Sequence, residues 1–219
     1  WKNIAQTGNN KINLIYDENQ AFFSSVVRGF KQKKIFENPF LAESYLNGAS
    51  TLREFQKGNL RTSNVFEIDK LSSYFAITDL LNSWHSTRWH NQRFYYDPYT
   101  NKLIPIGFDS MSGGLYGNEI LEKLSIERFS NKELQELPFF DDIEFIESYL
   151  KELNQIISGS FLEDFILKNK EIIKKDIRKI HKSYPHQQKF VDIKKNLNLN
   201  KLKIYNNLYP EYHLVDSYI

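Results

Sequence analysis

Between residues 70 and 108 the periodicity of the sequence changes once, and that change restricts the fold more than any other feature. In "KLSSYFAITDLLNSW" (70–84) the residues Leu71, Tyr74, Phe75, Thr78, Leu81 and Trp84 recur at helical spacing and make one continuous apolar stripe. "RFYYD" (93–97) and "KLIPIGF" (102–108) then alternate with a period of two around "DPYTN", whose Pro98 and polar neighbours are turn formers. Asp69 is the expected N-cap of the helix. Helix, polar loop (85–91) and β-hairpin in direct succession predict an α+β chain, and the rest of the sequence is mostly helical.

Upstream, "KINLIYD" (11–17) alternates like a short strand. Asp17 is placed to cap a helix through about Gly29, with Phe22, Val26 and Phe30 on one face. Asn38 before Pro39 is an N-cap signal with proline at the first helical position; Gly48 is expected to end that helix, and Ser50 to start a short one that Gly58 stops. Downstream of Asp109, "SMSGGLYG" is too rich in glycine for a regular element. Helices are expected near 141–157 and 161–183, separated by "SGS", and around 188–207 after "SYPH". The lysines of "KNKEIIKKDIRKIHK" (168–182) alternate with isoleucine at helical spacing, which reads as the solvated face of an amphipathic helix. There is no internal repeat and no low-complexity tract.

Composition bears on function mainly by exclusion. With 219 residues, 17 Phe and 13 Tyr the chain has the length and apolar bulk for a packed core. Basic and acidic residues nearly balance, 29 against 27, which argues against a nucleic-acid binder and against a general membrane-surface binder. The absence of cysteine removes disulfides, thiolate metal sites and cysteine nucleophiles. No apolar run approaches the roughly 20 residues of a membrane span, and no signal peptide is visible. The chain begins at Trp1 without an initiator Met, so it is expected to be a piece of a longer protein.

The order helix, loop with Asn91, hairpin, Asp109, glycine-rich loop has a logic for phosphoryl transfer. Magnesium takes hard oxygen ligands and dehydrates reluctantly, so proteins tend to offer it one carboxylate and one amide or second carboxylate and leave the rest to phosphates and water. A hairpin is a stiff spacer whose open end brings Asn91 and Asp109 together although they are far apart in sequence. His85 and His90 with Asp109 are also ligand types for zinc or another transition metal, but a five-residue spacing in a loop is no short helical ligand pair and no HExxH occurs. Arg88 and Arg93 flank Asn91 and are candidates to hold a phosphate, with surface pairing to Asp79 or Asp97 the expected use. Trp84 and Trp89 are expected to pack the loop on the helix stripe. Tyr95 and Tyr96 point to opposite faces of their strand. "SGG" (112–114) offers backbone N–H groups to a phosphate or serves as a linker.

The stretch "FEIDKLSSYFAITDLLNSWHSTRWHNQRFYYDPYTNKLIPIGFD" resembles the signature region of the spore coat protein H (CotH) kinase family, in which a segment ending "NyyLY" is followed by a turn and "iPWDlD". The likeness covers residues 65–115 well and the flanking helices only in general character. It implies an atypical protein-kinase-like fold, of which residues 69–219 would be the large lobe and 1–68 a helical join to an upstream lobe. It further implies ATP and magnesium or manganese as cofactors, Ser or Thr of a protein as acceptor, and a cell-surface, extracytoplasmic or spore-coat setting. Asn91 matches the family's metal-binding asparagine, Phe94, Tyr95 and Tyr96 match its aromatic strand, and Asp109 matches the last aspartate of the second motif, which would hold magnesium across the phosphates. His85 stands where the catalytic-loop aspartate is sought, and Ile106 with Gly107 replaces "WD". An imidazole can accept a hydroxyl proton but offers no permanent negative charge, so a non-catalytic pseudokinase acting as an interaction module of a coat or surface assembly is the alternative. The lysine that pairs with the nucleotide phosphates is expected upstream of Trp1, since Lys11 is poorly placed for that role.

Overall fold

Capping by Asn38 gives the longest helix its start. In the computed structural model, which describes residues 22–110, 121, 123–130, 137–185 and 193–210, helix α1 (Gln32–Phe36) is followed by α2 (Pro39–Gln56). The Asn38 side chain accepts the Leu41 N–H at 3.2 Å, and Pro39 occupies the first turn, where its missing N–H costs nothing. Asn38→Ala should therefore lower stability by about 1 kcal/mol in urea unfolding, and an unchanged midpoint would show that this cap is idle.

Gly48 does not end the helix as its residue type suggests. It is buried inside α2 with Tyr96 lying across it, so that a Cβ there would come within 2.9 Å of the Tyr96 ring. The missing side chain thus serves close packing, and the helix stops only at Lys57, beside Gly58 with its φ of 75°. A second difference lies at 25–29, where the expected helix through Gly29 is absent. Side chains of α2 and of the later loop take the backbone's partners instead: Gln56 Nε2 donates to the Phe22 carbonyl, Tyr45 OH donates to the Val27 carbonyl at 3.0 Å, and Trp89 Nε1 donates to Ser25 Oγ. Phe22 is buried, but Val26 and Phe30 stand in solvent. The strand expected at 11–17, with Asp17 and Lys11, lies outside the described residues, as do "SGG" and the beginning of the last expected helix.

After the short α3 (Thr62–Val65) comes α4 (Ile68–Leu80), the predicted periodic helix. Its N-cap is Glu67, which accepts the Lys70 N–H at 2.8 Å, while Asp69 sits in the first turn where its charge favours the helix N-terminus. Leu71, Phe75 and Thr78 of the expected stripe are buried, and Tyr74 and Leu81 pack against the core from its margin. Strands β1 (Arg93–Asp97) and β2 (Lys102–Ile106) form the predicted antiparallel hairpin, with Tyr95 opposite Ile104 and Asp97 opposite Lys102. Asp97 closes the turn by accepting the Tyr99 N–H and the Thr100 hydroxyl, both at 3.0 Å. Lys102 Nζ donates to the carbonyls of Ser63 and Asn64, and the Glu67 N–H to that of Leu103, which ties β2 to the start of α4.

Beyond the hairpin are α5 (Ser125–Phe129), a 3-10 turn at Pro138–Asp141, α6 (Ile143–Ser158), α7 (Phe161–Lys168), α8 (Lys170–Ser183) and α9 (Ile193–Leu208). Asp142 caps α6 through the Glu144 N–H and also accepts the Ser63 N–H at 2.7 Å, joining the two halves of the chain. The single helix expected over 161–183 is broken at Asn169, whose side-chain amide donates to the Phe165 carbonyl at 2.8 Å and ends α7 there. Helix α4 lies between α6, α9 and β2, around a core rich in rings: Phe55, Phe66, Phe75, Phe139, Phe145 and Tyr149 are fully buried. The described chain is thus α+β and mostly helical, with one small antiparallel sheet.

Candidate functional site

The loop from Leu81 to Gln92 joins α4 to the hairpin, and its own side chains fix its shape. Ser86 Oγ donates to the Ser83 carbonyl at 2.9 Å, Thr87 Oγ1 to that of Trp84 at 2.7 Å, and Gln92 Nε2 to that of Thr87 at 2.6 Å. Tyr74 OH reaches down from α4 to the Ser86 carbonyl at 2.9 Å. Two successive 3-10 turns, Trp84–Thr87 and Trp89–Asn91, result. Short polar side chains compete well for backbone groups, which is why this stretch leaves the helix here. Trp89 is buried edge-on against Phe22, not on the α4 stripe, and so anchors the loop to the N-terminal segment.

Asn91, at the end of the second turn, is buried, and its Nδ2 donates to the His85 carbonyl at 3.0 Å. That bond points the amide: with nitrogen committed to a carbonyl, Oδ1 is the atom left to accept a hydrogen bond or ligate a cation, and among the described residues nothing hydrogen-bonds to it. The His85 ring turns the other way, with Nε2 at 3.4 Å from Asp109 Oδ2. Asp109 follows β2 with a φ of 50°, a left-handed conformation that aspartate tolerates better than most side chains but that still stores strain. Its carboxylate is about half exposed, 49%, open enough to meet a ligand. His90 lies with its ring centre 5.8 Å from that of His85. His85 thus touches Asn91 through its carbonyl and Asp109 through its ring, with His90 beside it.

The arginines differ from expectation. Arg88 lies over the Trp84 ring at 4.5 Å, and Arg128 approaches the same indole at 5.5 Å. Arg93 lies over Phe108 at 4.6 Å and donates to the carbonyls of His90 and Gln92. Asp97 is taken up by the turn, and Asp79 is not at the surface at all. It accepts the Ser125 N–H at 3.1 Å, the Ser125 hydroxyl at 2.6 Å and the Tyr149 hydroxyl. Burial drives its carboxyl up to about 6, against the pull of Ser125, Tyr149 and Arg128. Burial and the adjacent Asp79 also push the Tyr149 phenol well up. An aspartate within an apolar helical stripe was the only sequence signal for this cluster, because its partners come from α5 and α6.

The donor set bears on what ion fits. No group of three or more His, Cys, Asp or Glu side chains among the described residues is arranged to hold a metal, so His85, His90 and Asp109 do not make a closed transition-metal site. One amide oxygen and one carboxylate suit a hard cation that brings its remaining oxygens with it. No helix among the described residues is long and apolar enough to cross a membrane. No protein-family model, curated protein or solved structure matches this chain.

Proposed function

We propose that the chain is the large lobe of a CotH-like atypical protein kinase domain that holds ATP with magnesium or manganese at Asn91 and Asp109 and transfers phosphate to Ser or Thr of a protein. The observation that carries this reading is the double engagement of His85, whose carbonyl orients Asn91 and whose ring faces Asp109. Residues on either side of a hairpin both touch His85 there, and an amide oxygen and a half-exposed carboxylate are the groups we assign to the cation. The cation, when bound, supplies positive charge to the nucleotide phosphates. In this reading Asn91 and Asp109 fix where that charge sits, the hydrogen-bonded loop keeps it there, and His85 would take a proton from an acceptor hydroxyl.

A second reading keeps the fold without transfer, as an interaction module of a coat or surface assembly. It is favoured by one feature, the His85 imidazole occupied with Asp109 where a free carboxylate would serve as base. Calorimetric titration of magnesium–ATP into the full-length protein tests both. Asp109→Ala should weaken binding at least about tenfold, roughly 1.4 kcal/mol, and an unchanged isotherm sinks the site. Radiolabel transfer to a Ser-rich acceptor above the Asp109→Ala blank supports the kinase. Binding without transfer supports the module.

A further inference from the structure

The lysine-rich segment and the helix before it expose several apolar side chains among the described residues. Helix α8 has no buried residue, unlike α2, α4 and α6. Its Ile172 is 61% exposed, and at the end of α7, before the Asn169 break, Phe165 and Leu167 are 52% and 70% exposed. Around these rings and branched chains the helix "KEIIKKDIRKIHKS" sets six basic side chains against two acidic ones. Lys174 and Lys179 are paired with Glu171 and Asp176 one turn away, but Lys170, Lys175, Arg178 and Lys182 have no acidic partner among the described residues. Ile172 shares a face with Lys175 and Lys179, at i+3 and i+7, so apolar and cationic groups project together. The near-neutral charge of the whole chain conceals this local excess.

We propose that the α7–α8 corner docks on an anionic lipid surface, with Phe165, Leu167 and Ile172 entering the headgroup–acyl boundary and the surrounding lysines and Arg178 meeting acidic headgroups. A strongly basic polar face, a modest apolar content and an unpartnered helix are the properties of interfacial helices. A protein groove is the poorer fit, because it reads one line of anchors at i, i+3, i+4 and i+7. Here Ile173 and Ile177, which begin such a line, are half-buried, and the exposed side chains come from two helices meeting at a bend. Long lysine stems can lie along the boundary while their ammonium groups stay in water.

Flotation of the full-length protein with phosphatidylcholine vesicles, with and without phosphatidylserine, tests this. Binding is expected only with phosphatidylserine and should weaken as salt is raised. Lys175→Gln with Lys182→Gln should cut the partition coefficient about 25-fold, about fivefold per lysine. Leu167→Ser with Ile172→Ser should cut it as well, with an unchanged far-ultraviolet spectrum, since both side chains lie in solvent. Equal binding to neutral and anionic vesicles overturns the proposal. So does an apolar double variant that binds vesicles like the wild type while the protein binds soluble polyaspartate equally tightly, which would assign the face to an acidic protein.

Discussion

Phe75→Ala should lower the free energy of unfolding by about 3–5 kcal/mol, the upper range for a single truncation in a packed core. Phe75 is fully buried on α4, and its ring centre lies 5.5–5.7 Å from those of Tyr74, Phe129, Phe139, Phe140 and Phe145. These neighbours come from α4 itself, α5, the 138–141 turn and α6, so no one element can shift to fill the space. Edge-to-face contacts are lost together with the transfer energy of the ring. Urea unfolding should show a lower midpoint at an unchanged slope. A loss below about 1.5 kcal/mol would mean that the surrounding rings collapse into the gap.

Asp79 should give the protein an acid-favoured component of stability. Its folded carboxyl titrates at about 6, above the ordinary 3.8, so the folded state holds the proton more tightly than the unfolded chain. The sign follows: the contribution is fully present below the unfolded value and is lost as pH rises through the folded one. A shift of about two units corresponds to roughly 3 kcal/mol across that interval. Asn at this position cannot titrate, so the stability of wild type minus that of Asp79→Asn should fall by about that amount between pH 3 and 7. Subtraction removes opposing groups such as Asp142, whose burial is outweighed by the N–H groups of Ser63 and Glu144 and whose carboxyl is lowered. A flat difference would show Asp79 ionised throughout, fully compensated by Ser125 and Tyr149.

Local signals carried the elements whose determinants are local. Asn38 with Pro39 marked the start of α2, the change of period marked α4 and the hairpin, and the strand bounds at 93–97 agree with the sequence pattern. Gly48 and the 25–29 segment were misleading because their outcomes depend on Tyr96, Gln56 and Tyr45, side chains that only the folded chain brings near. The site shows the same division. The places of Asn91 before the hairpin and Asp109 after it were legible, but that both touch His85 was not. The carbonyl contact that turns the Asn91 amide, and the burial of Asp79 with Ser125 and Tyr149, rest on backbone positions that residue spacing does not encode.

The fit of Tyr96 over Gly48 gives the hairpin a mechanical role. One face of the ribbon bears on α2 through that ring, and its return strand is laced by Lys102 and Leu103 to residues 63–67. Held at both sides, the hairpin is fixed against α2 and the 63–67 segment, and Asp109 follows the end of its return strand. A side chain at position 48 would have to displace the Tyr96 ring, and with it the strand that leads out of the His85–Asn91 loop, so a residue without a side chain helps to seat the hairpin that carries both ends of the site.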